Sequence, residues 1–175
     1  MCRWVAYAGP EIYLEDLIFH QEHSIVSQSL AATQSAWVTN GDGFGVAWYN
    51  NRTTPGLFKD ILPAWNDSNL RSLAAHIQTR LFFAHVRATT GTAVNRSNCH
   101  PFTWQNWAFR YSSDDQSPSM YYGTPHTRAS QQGQHAITTI ASEPSDSDAA
   151  HWFKVEERTG VYWTERGLEH FKINV

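Results

Sequence analysis

The spacing of apolar residues changes along the chain, and each change predicts a different element. From Cys2 to Ala8 the alternation of small, aromatic and β-branched residues reads as a short strand, with Gly9-Pro10 as its stop. Leu14, Leu17 and Ile18 then recur at helical spacing, which predicts a short helix over Tyr13 to His20 with one buried face. Val46-Ala47-Trp48-Tyr49 is an apolar run of strand length, and after a loop from Asn50 to Gly56 comes a second strand, Leu57 to Ile61, stopped by Pro63. Asn66 or Asp67 caps a helix in which Leu70, Leu73, Ala74 and Ile77 fall at i, i+3, i+4 and i+7.

Leu81 to Ala88 follows as a strand whose apolar residues Phe82, Phe83, Ala84 and Val86 run almost unbroken up to Arg87, a pattern expected of a strand buried on both faces. Tyr111 to Gln134, rich in Ser, Asp, Gln, Pro and His, reads as a long loop. Ala136 to Ala141 is a strand, and Val161 to Thr164 and His170 to Ile173 are weaker ones. Helices grouped with runs of strands favour a layered α+β fold over a doubly wound sheet. No internal repeat interrupts it.

Composition narrows the classes. A chain of 175 residues, 41% of them hydrophobic, is enough for one compact domain with a sizeable core. Its net charge is −3, its pI is near 6.3, and its basic residues are scattered. Neither a nucleic acid nor a membrane surface is therefore expected as a partner. No apolar run approaches the roughly 20 residues that span a bilayer, and no secretory signal is read at the amino terminus. Two cysteines, Cys2 and Cys99, form no disulfide scaffold, so a reducing, cytoplasmic setting with free thiols is the expectation. Eight Trp, seven Tyr and nine Phe are read as large core residues of sheets.

Cys2 is where chemistry first suggests itself. Position 2 is compatible with an incidental cysteine, but trimming of Met1 would leave a thiol and a free α-amine on one residue. An α-amine titrates at about 7.7 to 8.0 and a thiol at about 8.5, so the amine can take the thiol proton and later return it to a leaving amine. A histidine brought to Cys2 by the fold is the second option. The nine histidines show no zinc-ligand spacing and no Cys-x-x-Cys accompanies them, so no metal is expected. Arg87 has two readings: an edge arginine paired with a surface carboxylate, or a planar fork for a substrate carboxylate, flanked by the donors of Thr89-Thr90-Gly91. In Gly41-Asp42-Gly43-Phe44-Gly45, three glycines in five residues predict a backbone that packs close to something.

Met1-Cys2-Arg3, His23-Ser24-Ile25, Asn40 to Tyr49, Phe83 to Gly91 and Asn98 to Phe102 occur in an order that resembles a class II glutamine amidotransferase over residues 1 to about 109. The similarity is strongest to a stand-alone branch that includes an ergothioneine-pathway γ-glutamyl hydrolase and the amidotransferase subunit of a fungal glutathione-degradation complex. The resemblance implies an N-terminal nucleophile hydrolase fold, with stacked antiparallel sheets between helical layers. It implies Cys2 as the nucleophile, with its own amine as base, and no cofactor. Arg87 is implied to hold the substrate α-carboxylate, with Thr90, Asp42 and Gly43 as further substrate-binding residues. His100-Pro101-Phe102 is implied to be structural and Cys99 a buried small residue. The substrate is then glutamine or another γ-glutamyl compound, and a separate subunit is a conceivable partner.

One part of the family pattern is missing. After His-Pro-Phe the pattern calls for a strand ending in His-Asn-Gly, whose asparagine side chain and glycine amide form the oxyanion hole. Here Phe102 to Phe109 runs straight into Arg110-Tyr111-Ser112-Ser113-Asp114, which resembles sequence found much later in the family, as does Ile140-Ala141-Ser142-Glu143-Pro144. The expectation is one domain over residues 1–175, internally shortened near Phe109 and Arg110, with an incomplete sheet sandwich. Its parts are residues 1–109 and 110–175. Losing one oxyanion donor costs about a hundredfold to a thousandfold in rate, so an impaired enzyme is expected, or else a non-catalytic remnant that binds a γ-glutamyl ligand or a partner protein.

Overall fold

The computed structural model describes residues 2–30, 39–89, 91–110, 119–125, 138–164 and 166–173. Its centre is a seven-stranded antiparallel sheet. The strands are β1 (Arg3–Tyr13), β2 (Phe44–Tyr49), β3 (Gly56–Asp60), β4 (Gln78–Val86), β7 (Tyr121–Gly123), β8 (Thr139–Ala141) and β9 (Trp152–Lys154). They lie in the order β3-β2-β4-β1-β8-β7-β9, so β1 joins the strands of the first 86 residues to those of the carboxyl-terminal part. Among the described residues two hairpins complete the strands: β5 (Phe102–Trp104) with β6 (Trp107–Phe109), and β10 (Thr159–Thr164) with β11 (Gly167–Lys172). The helices are α1 (Glu15–Ile18), α2 (Ile25–Leu30) and α3 (Ser68–His76).

Alternation along the strands divides this sheet into two unlike faces. On one, Arg3, Val5 and Tyr7 of β1 are buried beside Phe82, Ala84 and Val86 of β4 and Phe44 and Val46 of β2, with Val5 and Val46 both paired to Ala84. Leu14, Leu17 and Ile18, with Ile25, Val26, Leu70 and Ala74, cover that face from the helices. Asp67 caps α3, its Oδ1 accepting the Leu70 amide at 2.7 Å. On the other face Trp4, Ala6 and Ala8 are only half-buried. Tyr49 there donates to the Asn106 carbonyl at 2.9 Å, and the His85 ring meets His100 edge-on at 4.8 Å. The β5-β6 hairpin is thus the cover on the second face, and its cross-strand pair Trp104 and Trp107 is 68% and 66% exposed.

Several expectations are corrected here. β1 does not stop at Gly9-Pro10; it continues to Tyr13 through a register shift between Ala8 and Ile12 against β4. β4 begins at Gln78, and both of its faces are buried only towards its end, since Leu81 is 41% exposed and Phe83 half-buried. The Ser- and Pro-rich stretch from Tyr111 to Gln134 contains β7, while residues 111–118 and 126–137 lie outside the described part, as do Ala136 and Ile137 of the strand expected there. The expected α+β class is observed. Of the incomplete sandwich expected, the described residues form one seven-stranded sheet, a two-stranded hairpin on its second face and a separate two-stranded hairpin, β10-β11. No helix among the described residues is long and apolar enough to cross a membrane.

Candidate active site

The end of β4 and the glycine-punctuated turn before β2 are stitched together by their backbones. The Arg87 amide donates to the Gly43 carbonyl at 2.8 Å and the Asp42 amide to the Arg87 carbonyl at 3.0 Å. Gly43 has φ +115°, and a side chain there would stand 2.7 Å from both the Asp60 carbonyl oxygen and Cys99 Sγ. Glycine is thus required twice over, for the backbone angle and for the close approach. One Asp42 carboxylate oxygen, Oδ2, accepts the Thr89 amide at 2.7 Å and so holds the segment that follows Arg87.

Cys2 lies against that segment, its Sγ 3.5 Å from the Ala88 carbonyl oxygen. The fold therefore brings together Cys2, Asp42, Gly43 and Arg87 from three separate stretches of sequence. Thr90 lies outside the described residues. Arg87 is 5% exposed. Its guanidinium donates to the Asp42 carbonyl at 3.4 Å, to Thr92 Oγ1 at 2.6 Å and to the Ala93 carbonyl at 3.2 Å. The edge-arginine reading is thereby corrected: Arg87 is buried and bonds neutral oxygens of its own loop and of the glycine turn.

Behind Cys2 the second face of the sheet carries positive charge. Lys59 donates to the Cys99 carbonyl at 2.6 Å, and burial lowers the Lys59 ammonium below its ordinary value. Cys99 is fully buried, as expected, and burial pushes its thiol up. His85 is held well below the usual imidazole range, first by burial and then by His100, Arg110, Arg87 and Lys59. For the same leading reason, with Arg110, Lys59 and Arg87 behind it, His100 titrates at about 4. Both imidazoles are therefore neutral at pH 7, and the permanent charges on this side of the site are arginine and lysine.

Three further side chains lie beside these residues: Arg3, Glu143 and Arg110. Arg3 and Glu143 form an ion pair with side chains 1% and 5% exposed, and Arg3 also donates to the Cys2 carbonyl at 3.3 Å. The clue was present in the sequence: Arg3 shares the phase of Val5 and Tyr7, so an arginine on the buried side of a strand demands a buried acceptor. Arg110 places its guanidinium carbon 5.5 Å from the centroid of the Trp4 ring. Nothing local in the sequence announces that contact.

Comparison with known proteins bears on the same stretch of chain. A probable glutamine amidotransferase, DUG3, of Saccharomyces cerevisiae is 41% identical over 121 residues, covering 64% of this chain and 34% of the yeast protein. The gamma-glutamyl-hercynylcysteine sulfoxide hydrolase of Mycolicibacterium smegmatis is 29% identical over 114 residues, covering 64% of this chain and 50% of its own. This chain thus spans a third to a half of the length of the curated relatives it matches. A solved glutamine aminotransferase class-II domain protein from Silicibacter pomeroyi superposes with a TM-score of 0.62 at 22% identity, covering 99% of this chain and 100% of that one, which speaks for the fold. The sequence pattern of the glutamine amidotransferases class-II matches residues 17–112, the stretch that holds Asp42, Gly43 and Arg87. As that match takes in more than half of the residues, and the glycine turn and buried arginine lie within it, the chain belongs to the class II glutamine amidotransferases.

Proposed function

We propose that this protein, once Met1 is removed, hydrolyses the γ-glutamyl amide of glutamine or of a related γ-glutamyl compound through a thioester on Cys2. The observation that carries the reading is the seat of Cys2 Sγ against the Ala88 carbonyl, on the segment that Asp42 and Arg87 hold in place. The Cys2 sulfur adds to the amide carbon, the thiol proton passes to the Cys2 α-amine, and the carbonyl π pair moves onto oxygen. Collapse restores the carbonyl and breaks the C–N bond as the α-ammonium returns its proton to the leaving amine. Water then adds to the thioester by the same steps, releasing glutamate and the thiol. Arg87 is the group for the substrate α-carboxylate, with Asp42, Gly43 and Thr90 as further substrate-binding residues. The names of the two curated relatives, one a glutamine amidotransferase and one a γ-glutamyl hydrolase, support glutamine and γ-glutamyl compounds as the substrate class. Ammonia leaves as free product or passes to a separate subunit.

The shortening near Phe109 and Arg110 is part of this proposal, and slow turnover follows from it. A second reading, a remnant that binds a γ-glutamyl ligand or a partner protein without cleaving it, draws on the retention of Cys2 and Arg87 without the Asn-Gly segment; a substrate carboxylate would there replace one of the Asp42, Thr92 and Ala93 acceptors of Arg87. The test is glutamate release from glutamine by methionine-trimmed protein beside Cys2→Ala. Release that is lost in Cys2→Ala supports the hydrolase; glutamine binding with no release from either protein supports the remnant.

A further inference from the structure

Four cations among the described residues are not exposed: Arg3, Lys59, Arg87 and Arg110. Three have acceptors. Arg3 pairs with Glu143, Lys59 donates to the Cys99 carbonyl, and Arg87 is bound by its own loop and the Asp42 carbonyl. Arg110 differs, because its Nε is buried with no hydrogen-bond partner, and among the described residues the charge that acts on it is the Cys2 sulfur, not a carboxylate. Buried donors are almost always paired, so an unpaired one on a cation calls for a reason.

The position of Arg110 supplies one. It directly follows β6, the strand that closes the hairpin on the second face of the sheet, and its guanidinium lies over the Trp4 ring. Trp4 is stacked on Phe83, with 5.8 Å between centroids and 9° between planes, so the surface beneath the guanidinium is fixed by two strands. Cys2 and Trp4 are two residues apart and share a face by strand alternation. The cation therefore stands on the side of the sheet to which the Cys2 thiol belongs. Burial pulls the Arg110 guanidinium below the ordinary arginine value while the nearby Cys2 sulfur acts the other way. Arginine nonetheless stays protonated in proteins.

We propose that Arg110 is the group that stabilises the oxyanion formed when Cys2 adds to a γ-glutamyl amide, taking the place of the missing Asn-Gly donors. This rests on the hydrolase reading given above. When the sulfur–carbon bond forms, the carbonyl oxygen gains the negative charge. A fixed, unpaired cation in a partly desolvated site is worth more to that charge than to the neutral amide, so its effect falls on turnover and not on ground-state binding. The neutral His85 and His100 bring no charge to that oxygen, and the donors of Arg87 are bonded to Asp42, Thr92 and Ala93.

The experiment compares methionine-trimmed parent, Arg110→Ala, Arg110→Lys and Cys2→Ala in glutamate release from glutamine. It also measures the affinity of each protein for glutamate γ-semialdehyde, whose adduct with a thiol carries an oxygen where the oxyanion forms. Circular dichroism and the rate of Cys2 alkylation by iodoacetamide report whether the fold and the thiol survive. Arg110→Ala is expected to lower kcat about a hundredfold to a thousandfold with KM within about threefold. It should weaken the aldehyde in parallel and regain part of its rate when guanidinium ion is added, with Arg110→Lys intermediate. A kcat within about threefold of the parent overturns the role of Arg110, and so does a change confined to KM, or a loss that guanidinium does not restore. A parent with no Cys2-dependent release overturns the hydrolase reading, and this inference with it.

Discussion

Removing Glu143 tests whether the carboxyl-terminal part of the chain is bound to the amino-terminal strand as tightly as the geometry requires. Arg3 and Glu143 pair with side chains 1% and 5% exposed. Ser142 sits beside them, its amide donating to the Trp4 carbonyl at 3.0 Å while the Trp4 amide donates to Ser142 Oγ at 3.0 Å. Glu143→Ala takes away the carboxylate and leaves the guanidinium in a site closed to water. Breaking a buried pair from one side costs about 3 to 5 kcal/mol, well above the 0 to 1 kcal/mol of a surface pair. For a domain of this size, each kcal/mol moves Tm by about 2 to 4 °C, so a fall of about 6 to 20 °C is expected. Glu143→Gln keeps an oxygen acceptor and should cost less. Arg3→Met with Glu143→Leu removes both charges and should lie closer to the parent than either single change does, because nothing charged is left without a partner. Urea unfolding followed by tryptophan fluorescence gives the four free energies, with an unchanged m-value as the check that only stability moved. A cost for Glu143→Ala below about 1 kcal/mol would falsify the reasoning, since the pair would then be hydrated and the two parts of the chain loosely joined.

Two further outcomes are expected. Gly43→Ala should destabilise the protein by about 1 to 3 kcal/mol or more, because the residue sits at φ +115° and the added methyl would stand 2.7 Å from a carbonyl oxygen and the Cys99 sulfur; a midpoint in urea equal to the parent's would contradict this. Stability should also fall as pH drops from about 6.5 towards 4. An unfolded imidazole titrates near 6.5 and that of His100 in the folded protein at about 4, so between these values the unfolded chain holds more protons. His100→Gln removes one such group and should narrow the difference in unfolding free energy between pH 7 and pH 5. An unaltered difference would show that the His100 imidazole is not the group kept neutral.

The helix-facing side of the sheet was legible because burial there imposes a period. Val5 and Tyr7, Phe82 and Ala84, and the Leu70–Ala74 face of α3 all follow it, and Asp67 announced the start of that helix. The short strands were not legible. β7 and β9 have three residues each, too few for alternation to register, and they are held by pairing with β8 and with each other, not by propensity. Gly9-Pro10 misled for a related reason: a glycine and a proline break a strand in isolation, but β1 passes through them because a register shift against β4 absorbs the irregularity. Cys2, Asp42, Gly43 and Arg87, which the fold brings together, were readable as candidates from motifs whose residues lie close in sequence. Glu143 and Arg110 were not, since each meets its neighbours across more than 100 residues of chain.

This division has a consequence for how the protein is held together. Among the described residues, the face covered by α1, α2 and α3 draws on positions before 90 for its helices and most of its strands; from later in the chain come Ala141 and Trp152, with Tyr121 packed against the cluster. The opposite face, where Cys2, Trp4 and Arg110 meet, is covered by a hairpin of two three-residue strands that leaves Trp104 and Trp107 in solvent. The proposed shortening at Phe109 and Arg110 falls on this second face. It therefore spares the apolar burial that stabilises the sheet and concentrates its effect on the groups next to the thiol. A chain shortened there is expected to keep a fold close to that of its family while losing most of its rate, and Arg110, set at that junction, is the residue on which the remaining rate should depend.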